Sequence, residues 1–365
     1  SMVRGGIEYS DYLLVDNDAR FVSELAIGST RHGATIANRV EVLDAEQGVG
    51  GWQIAMRDRV AGRDLEATAR MVVNAGGPDV PVVGELLGST TEHRLVFSKG
   101  IHLVVPRITD SGRILAFFDD DERLFYVLPM GERSVIGTTD TPVDDPQVAV
   151  TAEDRTFLLE QINARIDRGT PLGEADVIAE RCGVRALVVP PGASAEGRDW
   201  TELSREHAVE VDATLGVVSV LGGKLSDCLN VGEEVVEAAA ACGLSGRRPV
   251  RRWYGEPGRT ARRRYDERAA GLELDPGVAA DLWRRQGMRA FAALDLMSTD
   301  RSLGEPMGPL VPLTEAEVRV MADHEWIVEA DDFLRRRTML AQVQRADDLA
   351  KDPTVSRALG LLNLK

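Results

Sequence analysis

The sequence predicts an α+β fold, in which a mainly antiparallel sheet is followed by an all-helical C-terminal domain. The first observation is a series of short apolar runs that turn residues separate and no helical pattern interrupts, as is typical of antiparallel strands. These runs are 101–105, 114–118, 124–129 and 134–137. The second observation is a set of helix-start signals, namely Asp-Pro at 275–276 and 352–353 and Thr314 three residues before Glu317. We therefore predict two domains, 1–246 and 247–365.

The N-terminal region begins with a predicted amphipathic helix at about 17–32. Strand-like runs follow at 34–41, 52–57 and 65–73, and a second helix is expected at 151–166. The string Gly48-Val49-Gly50-Gly51 lies between polar residues and lacks a third, suitably spaced glycine, so it indicates a hairpin turn and not a phosphate loop.

A strand-like run at 216–221 leads directly into Gly222, Gly223 and Lys224, and a helix is expected to follow. The two glycines allow a sharp turn and a close approach of the backbone to a ligand. The N-terminus of the helix favours an anion or an electron-rich ring edge, and Lys224 adds a positive charge. Asp227 is expected to cap this helix.

Several short motifs follow one another along the chain, at residues 9–11, 16–20, 73–78, 99–102, 136–140, 183–185, 204–206, 222–226 and 323–338. In this order they resemble the motifs of FAD-dependent glycerol-3-phosphate dehydrogenases. Two positions depart from the family pattern: Asp79 stands where the family usually has Trp, and Cys228 stands where Tyr is commoner.

The resemblance implies a flavoprotein that oxidises sn-glycerol 3-phosphate to dihydroxyacetone phosphate and passes electrons to quinone. It implies an FAD-binding and substrate domain with a mainly antiparallel sheet, and a helical C-terminal domain. It also implies two sets of cofactor-binding residues. These are Ala75, Gly76 and Gly77 at one turn, and Gly222, Gly223, Leu225 and Ser226 at the other.

For the substrate, the resemblance implies that Arg185, Arg205 and Lys224 bind it, chiefly through its phosphate. A phosphate dianion needs several charge-assisted donors, and arginine offers a bidentate fork. His102 is the candidate general base for the C2 hydroxyl, and Lys224 is expected to act in catalysis beside the transferring carbon. The other histidines are interpreted as structural; they are His32, His93, His207 and His324.

No G-x-G-x-x-G follows a strand, so the family's ADP-binding βαβ segment is expected upstream of residue 1, and Ser1-Met2 is interpreted as an expression scar. The isolated, truncated chain is accordingly expected to bind FAD weakly and to be inactive. Two alternatives stay open. One is a non-catalytic fragment or ligand-binding scaffold; the other is a related flavin amine or amino-acid oxidase. The second would bind a carboxylate, which the predicted cationic cluster disfavours.

The net charge of −16 argues against nucleic acid as a partner and disfavours unaided attraction to anionic lipid. No apolar run approaches the roughly 18 residues of a membrane span. An arginine-rich stretch between Arg247 and Arg264 contains Trp253 and Tyr254. It has two open interpretations: a surface that meets lipid headgroups, or a linker and helix face neutralised by nearby carboxylates.

The expected location is therefore cytoplasmic, with peripheral contact at the inner face of the cytoplasmic membrane as the open alternative. Cys182, Cys228 and Cys242 form no C-x-x-C pair, so neither a disulfide framework nor a metal site is predicted, and buried thiols are expected. The sequence leaves the oligomeric state open, with a homodimer as one option.

Overall fold

The computed structural model describes residues 6–10, 12–118, 124–193, 206–244 and 257–364. The helices are α1 (Asp18–Thr30), α2 (Val80–Leu86), α3 (Ala152–Arg165), α4 (Cys228–Ala241), α5 (Arg259–Gly271), α6 (Pro276–Gln286), α7 (Ala290–Thr299), α8 (Glu315–His324), α9 (Leu340–Val343), α10 (Ala346–Lys351) and α11 (Pro353–Leu361). The strands are β1 (Val40–Gly48), β2 (Gly51–Asp58), β3 (Arg63–Ala69), β4 (Val72–Asn74), β5 (Arg94–Pro106), β6 (Leu115–Phe118), β7 (Leu124–Met130), β8 (Arg133–Gly137), β9 (Thr141–Val143), β10 (Ala179–Val189), β11 (His207–Asp212) and β12 (Val217–Gly222).

The chain divides into two compact units. The strand unit comprises residues 37–176 and 180–248, and the helical unit comprises 1–36, 177–179 and 249–365. Helix α1 therefore belongs with the C-terminal helices, although it comes from the start of the chain. The predicted domains 1–246 and 247–365 stay a prediction, and most of the sequence around that boundary lies outside the described residues.

The first sheet of the strand unit is an antiparallel meander of β1, β2 and β3. Its first hairpin turns between Gly48 and Gly51, as predicted, and a side chain at Gly51 would clash with the Ala69 carbonyl. The predicted strand at 34–41 is wrong for most of its length, because β1 starts at Val40. The ladder of β1 with β2 ends where Val40 pairs with Asp58, so the preceding residues have no partner in it.

The second sheet has the strand order β10-β5-β8-β7-β6, with β9 pairing β5. Its β5–β9 strands pair antiparallel, which confirms the series of strands read from the sequence. Helix α3 packs on β5 and β8 and buries Leu158 and Ile162. It starts with a capping box, in which the side chains and backbone amides of Thr151 and Asp154 bond reciprocally.

The third sheet has the order β11-β12-β4, and β12 runs parallel to β4. The predicted run 65–73 is thereby divided: its first part is β3 of the first sheet, and its end is β4 of this one. Strand β12 is buried from Val217 to Leu221, which accounts for its continuous apolar sequence. Helices α2 and α4 pack against it.

The described residues of the helical unit form an apolar core around Tyr265 and Leu294 and another around Phe333 and Val318. The predicted starts of α6 and α11 are confirmed, because Asp275 and Asp352 each accept two backbone amides of the first turn. Thr314 caps α8 by accepting the Glu317 amide. Among the described residues, no helix has the length and apolarity that crossing a membrane requires.

All three cysteines are free. Cys182 is exposed, so the expectation of buried thiols is wrong at that position. It lies at a point of β10 where the neighbouring residue Gly183 is exposed as well.

Candidate functional site

Two glycine turns leave the third sheet at the same edge. Because β4 and β12 are parallel, with Asn74 beside Ser219, their carboxyl ends point the same way. The Asn74 side chain shapes the first turn: its Nδ2 donates to the Val80 carbonyl at 2.9 Å, and its Oδ1 accepts from the Gly76 amide at 3.4 Å. The carboxyl ends of parallel strands in open sheets are where ligands usually bind. The turns predicted from 75–77 and 222–226 therefore face a common edge.

The second turn depends on its glycines for a steric reason. Gly222 and Gly223 have φ of +63° and +95°. A Cβ at Gly222 would clash with Val188 Cγ2 and lie 3.4 Å from the Ala186 carbonyl oxygen. The turn that carries Lys224 thus adjoins β10, and Lys224 itself is exposed.

The helix expected after Ser226 is α4, which begins at Cys228. A 3-10 turn, Leu225–Asp227, precedes α4, in which the Asp227 amide donates to the Lys224 carbonyl at 2.9 Å. Asp227 does not cap α4 through its side chain, so that prediction is wrong. The reason is that its carboxylate is bonded to His207 and Asn230, at 2.7 Å and 2.6 Å.

His102 lies on β5 in the middle of the second sheet. It pairs with Gly137 of β8, and Gly137 pairs in turn with Tyr126 of β7. A Cβ at Gly137 would be 2.8 Å from His102 Cδ2, so the imidazole occupies the space that this glycine leaves. Burial lowers the pKa of His102 to about 4, and the charges of Arg181 and Arg185 act in the same direction. The imidazole is therefore neutral near pH 7 and able to accept a proton.

Arg185 lies against the backbone of β5. A Cβ at Gly100 would be 2.7 Å from Arg185 Cζ, so only glycine leaves room for the guanidinium. Its Nη2 donates to Thr138 Oγ1 at 2.9 Å, and its Nη1 donates to the Thr139 carbonyl at 3.2 Å. The Asp140 carboxylate is 3.5 Å from Nη1. These contacts orient the guanidinium on the same face of β5 as His102.

Alternation along β5 explains the Lys-Gly-x-His motif. Positions 100 and 102 lie on one face of the strand, and at Gly100 that face carries no side chain. Lys99 points to the other face, where its Nζ bonds Asp154 Oδ2 of α3 at 2.7 Å and both groups are buried. Lys99 thus fixes the helix behind the sheet, and His102 faces the site.

Arg181 was not singled out in the sequence. It precedes Arg185 by four residues on β10, and this even spacing puts both side chains on one face of a strand. Its Nη2 lies 3.4 Å from Met130 Sδ of β7, so the side chain extends over the sheet toward His102. The even spacing of two arginines within one strand-like run was the signal available from the sequence.

The structure thus brings together His102, Arg181 and Arg185 on one face, with Lys224 on the turn that adjoins β10. Arg205 lies outside the described residues. The roles predicted for these residues, and for the glycine turns, stay predictions.

Only part of the arginine-rich stretch is described, because 247–256 lie outside the described residues. In α5, Arg262 and Arg263 pair with Asp266 and Glu267 one turn later. Arg262 also lies over the Trp283 ring, 5.5 Å from its centroid. In this portion, the interpretation of a helix face neutralised by carboxylates has the better support.

Two family models match the chain. The model described as FAD dependent oxidoreductase matches residues 1–225, and the C-terminal domain of alpha-glycerophosphate oxidase matches residues 251–360.

The relatives include the aerobic glycerol-3-phosphate dehydrogenase of Escherichia coli, 30% identical over 96% of this chain and 70% of the relative. The glycerol-3-phosphate dehydrogenase of Pseudomonas aeruginosa is 28% identical over 93% of this chain and 66% of the relative. The chain therefore spans about two thirds of the length of these two relatives. In fold, it is similar to the glycerol-3-phosphate dehydrogenase of Bacillus halodurans complexed with FAD, with a TM-score of 0.75 and 24% identity over 95% of this chain and 69% of that one.

The order of the sheets, the helical C-terminal region and both family models agree with the resemblance that the motifs indicate. The chain belongs to the family of FAD-dependent glycerol-3-phosphate dehydrogenases.

Proposed function

We propose that this chain is the substrate-binding portion of an enzyme that oxidises sn-glycerol 3-phosphate to dihydroxyacetone phosphate. The observation that carries the proposal is the placement of His102 and the Arg185 guanidinium on one face of β5, with Arg181 on the neighbouring strand β10. A general base and an anion site are the two protein functions that this reaction needs. The relatives from Escherichia coli and Pseudomonas aeruginosa are named glycerol-3-phosphate dehydrogenases, which supports the same substrate.

Arg185 is the main phosphate ligand in this proposal. Thr138, Thr139 and Asp140 hold its guanidinium in place, so little side-chain entropy is lost on binding. Arg181 supplies a second positive charge on the same face, and Arg205 assists as the family motif implies. Two or three cations around one phosphate give the charge-assisted bonds that a dianion requires.

His102 takes the proton of the C2 hydroxyl. Its pKa of about 4 keeps the ring unprotonated, and its position over Gly137 fixes its orientation. Lys224 provides a positive charge that stabilises the oxygen as negative charge develops on it.

FAD, when bound, supplies the acceptor for the hydride that leaves C2. Two features of this chain fit its ring system: a pair of turns at one sheet edge, and a Gly222 position where no side chain fits. The residues that would hold it are Ala75, Gly76, Gly77, Gly222, Gly223, Leu225 and Ser226. The proposal extends to quinone as electron acceptor, and to peripheral contact with the membrane that contains it.

Ligand binding tests the proposal without requiring turnover. We expect titration calorimetry to show binding of glycerol 3-phosphate and inorganic phosphate, and much weaker binding of glycerol. Arg185→Ala should weaken phosphate binding by tens- to a hundredfold, because losing one charge-assisted contact costs about 1.5–3 kcal/mol. Arg57→Ala is the matched control, since Arg57 is a surface residue of the same unit and pairs with Asp64.

Kinetics of the FAD-loaded enzyme separates binding from chemistry. Arg185→Ala should raise KM for glycerol 3-phosphate and hardly change KM for glycerol, and Lys224→Ala should lower kcat with either substrate. An Arg185→Ala enzyme that keeps the wild-type preference for the phosphorylated substrate would remove the main support for the proposal. Binding of amino acids in place of phosphate would favour an amine or amino-acid oxidase. Binding of neither ligand would favour a scaffold.

A further inference from the structure

His207 makes a contact with carboxylates at each ring nitrogen. Its Nδ1 lies 2.7 Å from Asp227 Oδ2, and its Nε2 lies 3.0 Å from Glu234 Oε1. The imidazole side chain is only 11% exposed, whereas the Glu234 side chain is half exposed. Both ring nitrogens can donate only when the ring is protonated. The geometry therefore fits an imidazolium and not a neutral histidine.

These contacts connect three parts of the third sheet around the Lys224 turn. His207 begins β11 and pairs with Gly222, the last residue of β12. Asp227 lies three residues after Lys224, and Glu234 lies in the second turn of α4. A Cβ at Gly223 would be 3.1 Å from the Cβ of His207, so the histidine lies directly beside the turn. One side chain thus joins β11, the 3-10 turn and α4.

The start of α4 lacks the restraint that a side-chain cap would give it. Asp227 holds the N-cap position but makes no capping bond, and the segment from Leu225 to Asp227 is a 3-10 turn. The contacts of His207 take the place of that cap. Without them, a segment that follows two adjacent glycines would be held only by the packing of α4 on β11 and β12.

We propose that His207 is a positioning residue, whose protonated ring latches Asp227 and Glu234 to β11 and thereby holds the turn that carries Lys224. Its effect on Lys224 rests on the proposed function, but the latch itself does not. The ring touches no substrate in this assignment, so His207 acts only through the position of the turn.

The latch depends on pH. Although partial burial would lower the pKa of His207, Glu234 and Asp227 raise it above its ordinary value of 6.5. These two carboxylates come from the 3-10 turn and α4, and β12 contributes no charged side chain. A raised pKa means that the latch is complete below about pH 6.5 and is lost as the pH rises through the folded value. Above that point a neutral ring can donate to one carboxylate only.

Two measurements of the unliganded protein test the latch. NMR titration should show His207 with a raised pKa, and both Asp227→Asn and Glu234→Gln should lower it. Hydrogen exchange, corrected for the effect of pH on the intrinsic exchange rate, should show the backbone amides of α4 exchanging roughly tenfold faster in His207→Gln than in the wild type. This factor is expected when a partly exposed hydrogen bond to a charged group is lost. His93→Gln is the control, because His93 pairs with a carboxylate of β11, Glu210, and not with one of α4.

His207→Arg separates charge from titration. It keeps a cation for both carboxylates, so α4 should stay protected at every pH, whereas protection in the wild type should fall as His207 deprotonates. Kinetics then tests the connection to Lys224: His207→Gln should lower kcat with little change in KM, and His207→Arg should restore kcat. An ordinary pKa for His207, or equal exchange of α4 in wild type and His207→Gln, would overturn the latch. If the pKa of His207 is raised and α4 exchanges faster in His207→Gln, but kcat does not change, the latch is supported and only the role given to Lys224 is rejected.

Discussion

Two largely buried arginines of the helical unit and Arg185 of the strand unit are held by different groups. In the helical unit, buried carboxylates neutralise the guanidinium: Arg20 bonds Glu325 through two contacts of 2.9 and 3.1 Å, and Arg285 bonds Glu317 at 2.7 and 2.8 Å. Both glutamates are fully buried. In the strand unit, Arg185 is oriented chiefly by a hydroxyl and a carbonyl, with a carboxylate at 3.5 Å.

This difference separates two uses of the same side chain. Although burial alone would lower the pKa of Arg285, Glu317 raises it above the ordinary value, so the charge is stabilised within the fold. At the sheet face, the charges of Arg181 and Arg185 still act on His102 and help to lower its pKa. A positive field that reaches a neighbouring residue is also available to an anionic ligand. The charges of Arg20 and Arg285 are thus met inside the fold by buried glutamates, whereas the charge of Arg185 acts on His102 as well as on Asp140.

The largest effect is expected from breaking a buried pair in the helical unit. Glu325 accepts bonds from Arg20, Gln286 and Arg289. Glu325→Gln should destabilise this unit by about 3–5 kcal/mol, because Arg20 would keep a buried charge but lose its buried carboxylate partner. Urea unfolding followed by circular dichroism measures this. A loss below about 1 kcal/mol would mean that these arginines do not depend on their carboxylates, and the comparison would fail.

The next effect concerns His102 and pH. The unfolded residue takes up a proton near pH 6.5, whereas the folded residue does so only near pH 4, so acidification between these values favours the unfolded state. The cost should be on the order of 3 kcal/mol, and His102→Gln should remove it. The measurement is the unfolding free energy of both proteins between pH 7 and 4. Arg181→Gln should raise the pKa of His102, and an unchanged value would show that Arg181 does not act on this face.

The smallest effect is expected at an exposed arginine pair. Arg262 and Asp266 are both about half exposed on α5, one turn apart. Asp266→Ala should therefore change the unfolding free energy by only about 0.3–0.5 kcal/mol. This variant is the matched control for Glu325→Gln, since it removes a carboxylate from an arginine of the same unit. A loss comparable to that of Glu325→Gln would show that burial is not what distinguishes these pairs.

Much of the fold was accessible from local signals in the sequence. The aspartates before Pro276 and Pro353 cap helices because their carboxylates reach the amides of the first turn, which is a local property. The strands of the second sheet were visible because turn residues separate short apolar runs. The run 65–73 was predicted as one strand, but its two parts belong to different sheets. Which sheet each part joins is decided by its pairing partner, β2 for the first part and β12 for the second, and both partners lie elsewhere in the sequence.

The candidate site was predictable where a motif carries it and not elsewhere. His102 and Arg185 belong to short strings whose order resembles a family. Arg181 lies outside any quoted motif, and its relation to His102 appears only when β10 and β5 are neighbours. Asp227 has the residue type and position of a cap, but the tertiary contact with His207 prevails over the local preference.

The pairing of Arg20 with Glu325 also has a consequence for synthesis. The two residues are 305 positions apart, and Asn17 bonds the carbonyl of Thr338, which is 321 positions away. At the usual rates of translation, α1 must wait on the order of tens of seconds before its partners emerge from the ribosome. During that interval the strand unit between them can be made in full. The packing of α1 in the helical unit can therefore be completed only after the strand unit has been synthesised, and until then Asn17 and Arg20 lack the partners that they have in the folded chain.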